Sequence, residues 1–178
     1  MGSVHNDAYR FGPAASHEEH VFGAACPGWH SVGSYETVVT RWIEFMLGQG
    51  IDRVLYLLPV NHGADGDALD RYQEAFGRSN VRHAPVPNRR LVGEKVLQRD
   101  ILPFLADAGE TGDRVVVHCL AGLGRTGQVL AAWLVFRHDY RPHEAIDTVM
   151  RMGRDPTEIV DRGDATRHEL LTTLGNVA

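Results

Sequence analysis

Ten consecutive residues say most about this chain: His118-Cys119-Leu120-Ala121-Gly122-Leu123-Gly124-Arg125-Thr126-Gly127. The residues before them, 114–117, end in a continuous valine run, which is typical of a parallel strand covered on both faces. The residues after them, up to 136, are apolar nearly all round, which predicts a buried helix. The ten residues therefore predict a turn between a buried strand and a buried helix.

Short apolar runs and helical patterns alternate along the rest of the chain. Residues 54–58 and 81–86 predict two more strands, and Ser34 can cap a helix that Gly48 or Gly50 ends. Further helices are predicted over 67–76, 92–108, 142–152 and 166–174, with Pro103 kinking or breaking the second of these. This alternation predicts an α/β fold, with a central, mostly parallel sheet of four or five strands flanked by helices.

Composition bounds the organisation and the partners. The chain has 178 residues, 43% of them apolar, which is enough for a core and too much for a disordered chain. Residues 1–18 are polar with glycine and proline, so we expect an N-terminal arm before a single domain over 19–178. No apolar run approaches the roughly 20 residues of a membrane span, and the start lacks a secretory signal, so no membrane partner is expected.

Charge and cysteine content add two expectations. The net charge of −5 argues against non-specific binding of nucleic acid. Two cysteines, Cys26 and Cys119, are too few for a disulfide scaffold, so a cytoplasmic location is expected. Cys26 could form a reversible disulfide with Cys119, although an ordinary free thiol is the simpler interpretation.

Two nucleotide-binding interpretations of the glycines fail. The pattern from Gly122 to Gly127 matches a dinucleotide fingerprint, but residues 137–142 lead into another helix instead of a second strand with an acidic end. An ATP-binding loop would need lysine and a hydroxyl residue where Gln128 and Val129 stand.

The third interpretation is a cradle for a tetrahedral oxyanion. Backbone N–H groups between Cys119 and Arg125 can converge on one point, to which the following helix adds its positive end. Thiols at helix N-termini beside cations ionise readily, so Cys119 is a candidate thiolate nucleophile. Arg125 offers a planar fork for two phosphate oxygens. These residues predict attack on phosphorus and a phosphocysteine that water then hydrolyses.

The same residues resemble the signature H-C-x₅-R-[ST] of the cysteine-dependent protein tyrosine phosphatase superfamily, and their core is similar to its compact dual-specificity branch. The resemblance implies that Cys119 is the nucleophile, that Arg125 clamps phosphate, and that the Thr126 hydroxyl assists the second step. It also implies that His118 holds the loop and tunes the thiol. The phosphate-binding backbone would be that of Leu120, Ala121, Gly122, Leu123, Gly124 and Arg125. No cofactor and no metal are expected, and the site would accept phosphate- or sulfate-type anions.

The position of the general acid departs from the family pattern. The segment 85–87 resembles the one that precedes the family's acid loop, and it puts Asn88 where the family has an aspartate. An amide cannot donate a proton as a carboxylic acid does, and general-acid help is worth ~10²–10⁴ in rate. Candidate substitutes on flanking loops are Glu94, Asp65 and Asp67.

Three functions therefore stay open. We favour a protein phosphatase that acts on phosphotyrosine, and on phosphoserine or phosphothreonine if the pocket is shallow, with a phosphorylated protein as its partner. The alternatives are a 5′-triphosphatase acting on RNA or a nucleotide, and a phosphate-binding pseudophosphatase. Arg82, Arg89 and Arg90 lie near the presumed acid loop and could attract an anionic substrate. The segment His17-Glu18-Glu19-His20 lacks the spacing of a metal-binding motif.

Overall fold

A five-stranded sheet forms the centre of the protein. The structure is a computed structural model, and it describes residues 8–29, 33–59 and 65–178. The strands are β1 (Gly12–Pro13), β2 (Val21–Ala24), β3 (Arg53–Tyr56), β4 (Val81–His83) and β5 (Val115–His118). Their order is β1-β2-β5-β3-β4, with β1 antiparallel to β2 and all other neighbours parallel. The predicted mostly parallel sheet is confirmed.

Helices cover both faces of the sheet. They are α1 (Tyr35–Gly48), α2 (Asp65–Phe76), α3 (Glu94–Val96), α4 (Leu102–Thr111), α5 (Gly124–His138), α6 (Pro142–Arg151), α7 (Glu158–Asp161) and α8 (Arg167–Gly175). Short 3₁₀ turns lie at Ala8–Arg10 and Arg78–Asn80. No helix within the described ranges combines the length and the apolar character that crossing a bilayer requires.

The predicted break at Pro103 takes the form of a π turn. Helices α3 and α4 are joined by a π-helical segment, Leu97–Ile101, and Pro103 lies in the first turn of α4. Proline has no backbone N–H, and the hydrogen-bond pattern of the wider π turn before it does not use an N–H at this position. The helical run therefore continues past the proline.

The core lies on both faces of the sheet because alternate strand residues point to opposite sides. Val116 of β5 packs in one cluster with Trp42 of α1. Val115 and Val117 pack in the other, with residues of α5. Helix α5 is buried at ten consecutive positions, 126–135, as its all-round apolar sequence predicted.

Residues 8–18 pack against the domain, which differs from the predicted separate arm. Strand β1 extends the sheet, and the side chains of Ala14 and Ala15 are buried. The boundary at residue 18 therefore does not hold for this segment, and residues 1–7 lie outside the described residues.

Glu18 fastens that segment to α5. Its Oε2 accepts hydrogen bonds from Trp133 Nε1 at 2.9 Å and His138 Nε2 at 2.6 Å. Burial alone would raise the pKa of Glu18, but these bonds and two from backbone N–H groups lower it below its ordinary value. Glu18 is thus a structural carboxylate, buried and fully engaged.

Strand β4 is shorter than predicted. It ends at His83, although Ala84 and Val86 still donate backbone hydrogen bonds to Tyr56 and Leu57. Pro85 and Pro87 have no N–H to continue a ladder, so the chain leaves the sheet there.

Candidate active site

The site lies where β5 ends and α5 begins. Residues 119–123 connect them, at the carboxyl edge of the parallel strands, where such sheets bind ligands. A pocket of about 310 Å³ opens there. Its lining residues are Trp29, Asn88, Arg89, Arg90, Cys119, Leu120, Ala121, Leu123, Gly124, Arg125, Gln128, Pro156, Glu158, Ile159, Arg162 and Asp164.

Residues 120–125, called the cradle below, need glycine at position 122. Gly122 has φ 72°, and a Cβ on it would lie 2.6 Å from the backbone of Ala24. Leu120 O accepts a hydrogen bond from Cys26 N at 3.0 Å. The cradle is thus pressed against the chain that leaves β2, and the glycine makes this approach possible.

Cys119 and Thr126 meet at the base of the pocket. Cys119 is 3% exposed, and Thr126 Oγ1 donates a hydrogen bond to Cys119 Sγ at 3.1 Å. This is the contact that the predicted role of Thr126 requires, because a hydroxyl donor stabilises a sulfur anion.

Arg125 lines the same pocket. Its Nη1 donates to Val86 O at 2.8 Å, which ties the guanidinium to the segment after β4. No other hydrogen bond of this side chain is present within the described residues, so its remaining donors can serve an anion.

His118 is completely buried and neutral. Because a carbonyl only accepts, Nδ1 donates to Cys119 O at 3.0 Å, and Nε2 then accepts from the Tyr72 hydroxyl at 3.1 Å. Burial lowers the pKa of His118 to about 4. The histidine therefore holds the first peptide of the cradle, and at neutral pH it brings no positive charge to the sulfur.

The residues considered for the general acid differ in whether they line the pocket. Asn88 lines the pocket, as predicted. Glu94 is not among the lining residues, and its Oε2 accepts from Asn176 Nδ2 at 2.8 Å, near the C-terminus. Glu94 is therefore a poor substitute acid. The side chains of Asp65 and Asp67 lie outside the described residues.

Two carboxylates that the sequence analysis missed do line the pocket. Asp164 accepts from Arg89 with both oxygens, at 2.7 and 3.1 Å. Glu158 pairs with Arg162 through Oε1 at 2.7 Å, and its Oε2 lies 2.6 Å from the position that a Cβ on Gly124 would occupy. No motif marks these residues; they reach the pocket because the chain returns to the cradle after α6.

The arginine content of the pocket agrees only in part with the prediction. Arg89 and Arg90 line it, joined by Arg125 and Arg162, which makes the mouth basic in a protein of net charge −5. Arg82 instead lies over the ring of Phe104 and is not among the lining residues.

The structure argues against a disulfide between the two cysteines. Cys26 packs beside the cluster of Trp42, whereas Cys119 belongs to the cluster on the opposite face of the sheet. Neither cysteine forms a disulfide in the structure.

Metal ligands do not gather anywhere in the part of the chain that the structure describes. No group of three or more histidine, cysteine, aspartate or glutamate side chains is placed to hold an ion there. His20, for example, contacts the backbone oxygen of Asp113 through Nδ1 at 3.2 Å.

Known proteins are similar to this chain in sequence and in fold. A family model described as "Tc-R-P: Polymorphic toxin system, DSP-PTPase phosphatase" matches residues 34–139, more than half of the chain. The mouse "Protein tyrosine phosphatase domain-containing protein 1" is 32% identical over 131 residues, covering 69% of this chain and 17% of its own length. The chain spans less than half the length of the curated relatives it matches.

Solved structures support the same assignment of fold. Tk-PTP in its active form superposes with a TM-score of 0.68 at 22% identity, covering 93% of this chain and 96% of that one. PTPMT1 in complex with PI(5)P gives a TM-score of 0.63 at 17% identity, covering 94% and 93%. At these identities the likeness concerns the fold alone. Taken with the family match, the signature residues show that the chain belongs to the Tc-R-P family, DSP-PTPase phosphatases of polymorphic toxin systems within the cysteine-dependent protein tyrosine phosphatase superfamily.

Proposed function

We propose that the protein is a phosphatase that hydrolyses phosphotyrosine in proteins through a phosphocysteine intermediate. The observation that carries the proposal is the 3.1 Å hydrogen bond from Thr126 Oγ1 to Cys119 Sγ, at the base of a pocket that Arg125 also lines. A buried sulfur with a hydroxyl donor, beneath an anion cradle, is equipped both to attack and to leave.

The chemistry proceeds in two displacements. Cradle N–H groups and Arg125 hold the three non-bridging phosphate oxygens while Cys119 attacks phosphorus. The ester P–O bond breaks, and the departing oxygen receives a proton. Water then attacks the phosphocysteine, the S–P bond breaks, and phosphate leaves while the Thr126 hydroxyl stabilises the returning thiolate.

The walls of the pocket favour an aryl phosphate. Trp29, Leu120 and Ile159 supply apolar surface beside the cradle. The tyrosine ring places a flat apolar group between phosphate and peptide backbone, which such walls can bury. Phosphoserine and phosphothreonine lack that group and should be poorer substrates.

Glu158 is the proton donor in this proposal. Asp164 has both oxygens engaged by Arg89, whereas Glu158 keeps Oε2 beside Gly124, at the start of α5. This oxygen is therefore the one placed to pass a proton to the departing oxygen. The same group, once ionised, can take a proton from the attacking water.

A 5′-triphosphate is the second candidate substrate. Arg90 and Arg125 line the pocket with no carboxylate partner in the described ranges, whereas Arg89 and Arg162 pair with Asp164 and Glu158. Two such guanidinium groups favour a ligand with more than one phosphate. The fold neighbour PTPMT1, solved with PI(5)P, binds a ligand that is not a phosphoprotein.

Turnover with defined substrates tests these proposals. Wild type should release phosphate from a phosphotyrosine peptide in the presence of EDTA, faster than from a phosphoserine peptide or a triphosphate-ended RNA. Cys119→Ser should abolish release. Preference for the RNA would support the triphosphatase instead, and binding of the peptide without turnover by wild type would indicate a pseudophosphatase.

The family description also suggests a biological setting. In this proposal the phosphatase acts as part of a polymorphic toxin system, in the reducing cytoplasm that its free thiol requires. Expression of wild type in the cytoplasm of a bacterial host should then slow growth, and Cys119→Ser should not. Equal growth with both proteins would contradict the toxin role.

A further inference from the structure

Arg154 lies behind the cradle, on the side away from the pocket. It follows α6 and is 4% exposed. Its Nη1 donates to Gly122 O at 2.6 Å, and its Nη2 donates to Gly23 O at 2.9 Å and to Arg10 O at 2.5 Å. One guanidinium thus joins the cradle, β2 and the N-terminal segment.

These bonds match what an anion cradle needs on its reverse side. Peptides that turn their N–H groups toward an anion turn their carbonyls the other way, and a buried carbonyl needs a donor. Gly122 O receives that donor from Arg154, and Leu123 O accepts from Asp155 N at 3.2 Å. The segment 154–155 therefore holds two outward carbonyls of the cradle.

Glycines leave room for the guanidinium. A Cβ on Gly23 would lie 3.1 Å from Arg154 Cζ and 2.8 Å from Thr126 Cγ2. One on Gly127 would lie 3.2 Å from Arg154 Cβ. Because the guanidinium and Thr126 meet at the same point on β2, and Thr126 contacts the sulfur, the positive charge lies on the sulfur side of the sheet.

The charge of Arg154 is not matched by a carboxylate. Its hydrogen bonds go to carbonyls, and in the described ranges no aspartate or glutamate pairs with it. Buried charges are costly unless they are paired. Burial lowers the pKa of Arg154 to about 10, the negative charge of Cys119 opposes that shift, and Arg10 adds to it.

We propose that Arg154 is the buried counter-ion of the Cys119 thiolate and the positioning residue that holds the Gly122 carbonyl turned away from the pocket. The inference rests on the proposed function, because it assigns the thiolate its role. Arg154 does not line the pocket, so it touches no substrate and acts through Cys119 and the cradle.

Other charged groups near the sulfur are distinguishable from Arg154. His118 on β5 is neutral at pH 7. Arg125 and Glu158 line the pocket in front of the cradle, where salt and bound anions screen them. Arg154 is charged and is buried by the protein itself, whether or not the pocket is occupied.

Thiol alkylation tests the inference without requiring turnover. The rate at which iodoacetate modifies Cys119 is measured from pH 4 to pH 10 in Cys26→Ser, which leaves one thiol, and in that background with Arg154→Gln or Arg154→Lys. Arg154→Gln should move the pH midpoint upward by about one unit, so that the rate at pH values below both midpoints falls ~10-fold. Arg154→Lys, which keeps the charge, should stay close to the parent.

Arg53→Gln is the matched control. Arg53 is also buried, but Asp107 and Asp113 pair with it at 2.6 and 2.7 Å. This variant should lose stability and keep the alkylation midpoint. Equal midpoints for folded Arg154→Gln and the parent would overturn the inference. If Arg154→Gln shifts the alkylation midpoint but the wild type hydrolyses no phosphate ester, the inference about Arg154 would stand and the proposed function would be refuted.

A second measurement is used if Arg154→Gln does not fold. The thermal midpoints of wild type and Cys119→Ala are compared from pH 5 to pH 8.5. A thiolate with a buried cation stabilises the fold as the thiol ionises. The thermal midpoint of wild type should therefore rise relative to that of Cys119→Ala as the pH rises. A constant difference between the two proteins would contradict the counter-ion role.

Discussion

Thr126 contributes a single hydroxyl to the site, and its value depends on the step. In the proposed mechanism, the hydrogen bond to Cys119 Sγ matters most when sulfur regains its negative charge, as phosphocysteine is hydrolysed. Losing one such donor costs on the order of 10² in rate.

We therefore expect Thr126→Ala to lower kcat about 100-fold and to leave the initial burst of nitrophenolate from p-nitrophenyl phosphate intact. Stopped-flow absorbance separates the burst from steady turnover, and Thr126→Ser should restore the steady turnover. Loss of the burst in Thr126→Ala would show that the hydroxyl serves the first step instead.

Glu158 gives a second prediction at the same scale. Nitrophenolate leaves without a proton, whereas the tyrosine oxygen needs one. Glu158→Gln should therefore leave the burst from p-nitrophenyl phosphate unchanged and lower the rate on a phosphotyrosine peptide by ~10²-fold.

Asp164→Asn serves as the matched control, because Asp164 also lines the pocket but is engaged by Arg89. It should affect both substrates alike and only weakly. Equal losses on both substrates in Glu158→Gln would assign the carboxylate a binding role and leave the proton donor unidentified.

Residues differ in how far sequence identifies them. Cys119, Arg125 and Thr126 could be proposed from the sequence because their spacing is set by one turn between a strand and a helix. Arg154 and Glu158, for which we propose roles, are distant from that turn in sequence, and their positions depend on where the chain runs after α6. No local pattern carries that information.

At the scale of elements, β5 and α2 are coupled through His118 and Tyr72. The bond from the Tyr72 hydroxyl to Nε2 requires a neutral imidazole, and burial lowers the pKa of His118 to about 4. The unfolded chain binds this proton at an ordinary pKa near 6.5, so folding is favoured fully above that pH and loses the contribution as the pH falls toward 4.

We predict that the free energy of unfolding drops by about 2 kcal/mol between pH 7 and pH 5 through this histidine. Urea titrations at both pH values measure the drop. His118→Asn should be less stable at pH 7 and show a smaller drop. An equal drop in both proteins would assign the acid sensitivity to other groups.

Elements were predictable where apolar runs are long. Strand β5 and helix α5 stand out because both are covered on all sides. Strands β1 and β2 escaped prediction because they contain Gly12, Pro13 and Gly23, and β1 has only two residues. Gly12 and Gly23 both lie against Arg154, a residue outside these strands, so the strands alone do not show why glycine stands there.

For the whole molecule, the parallel sheet brings the carboxyl end of β5, the segment after β4 and the return after α6 to one edge. The α/β class followed from the alternation of patterns, whereas the packing of residues 8–18 did not, because their polar composition resembles a loose arm. The basic pocket in an acidic protein also emerges only in three dimensions, since its four arginines come from three separate segments.

Trapping the covalent intermediate tests whether Cys119 is the nucleophile. Wild type mixed with a phosphotyrosine peptide is quenched in acid within milliseconds, digested and analysed by mass spectrometry. The account predicts a phosphoryl group on Cys119, accumulating further in Thr126→Ala and absent from Cys119→Ser. Undiminished phosphate release by Cys119→Ser, or a phosphoryl group on another residue, would contradict it.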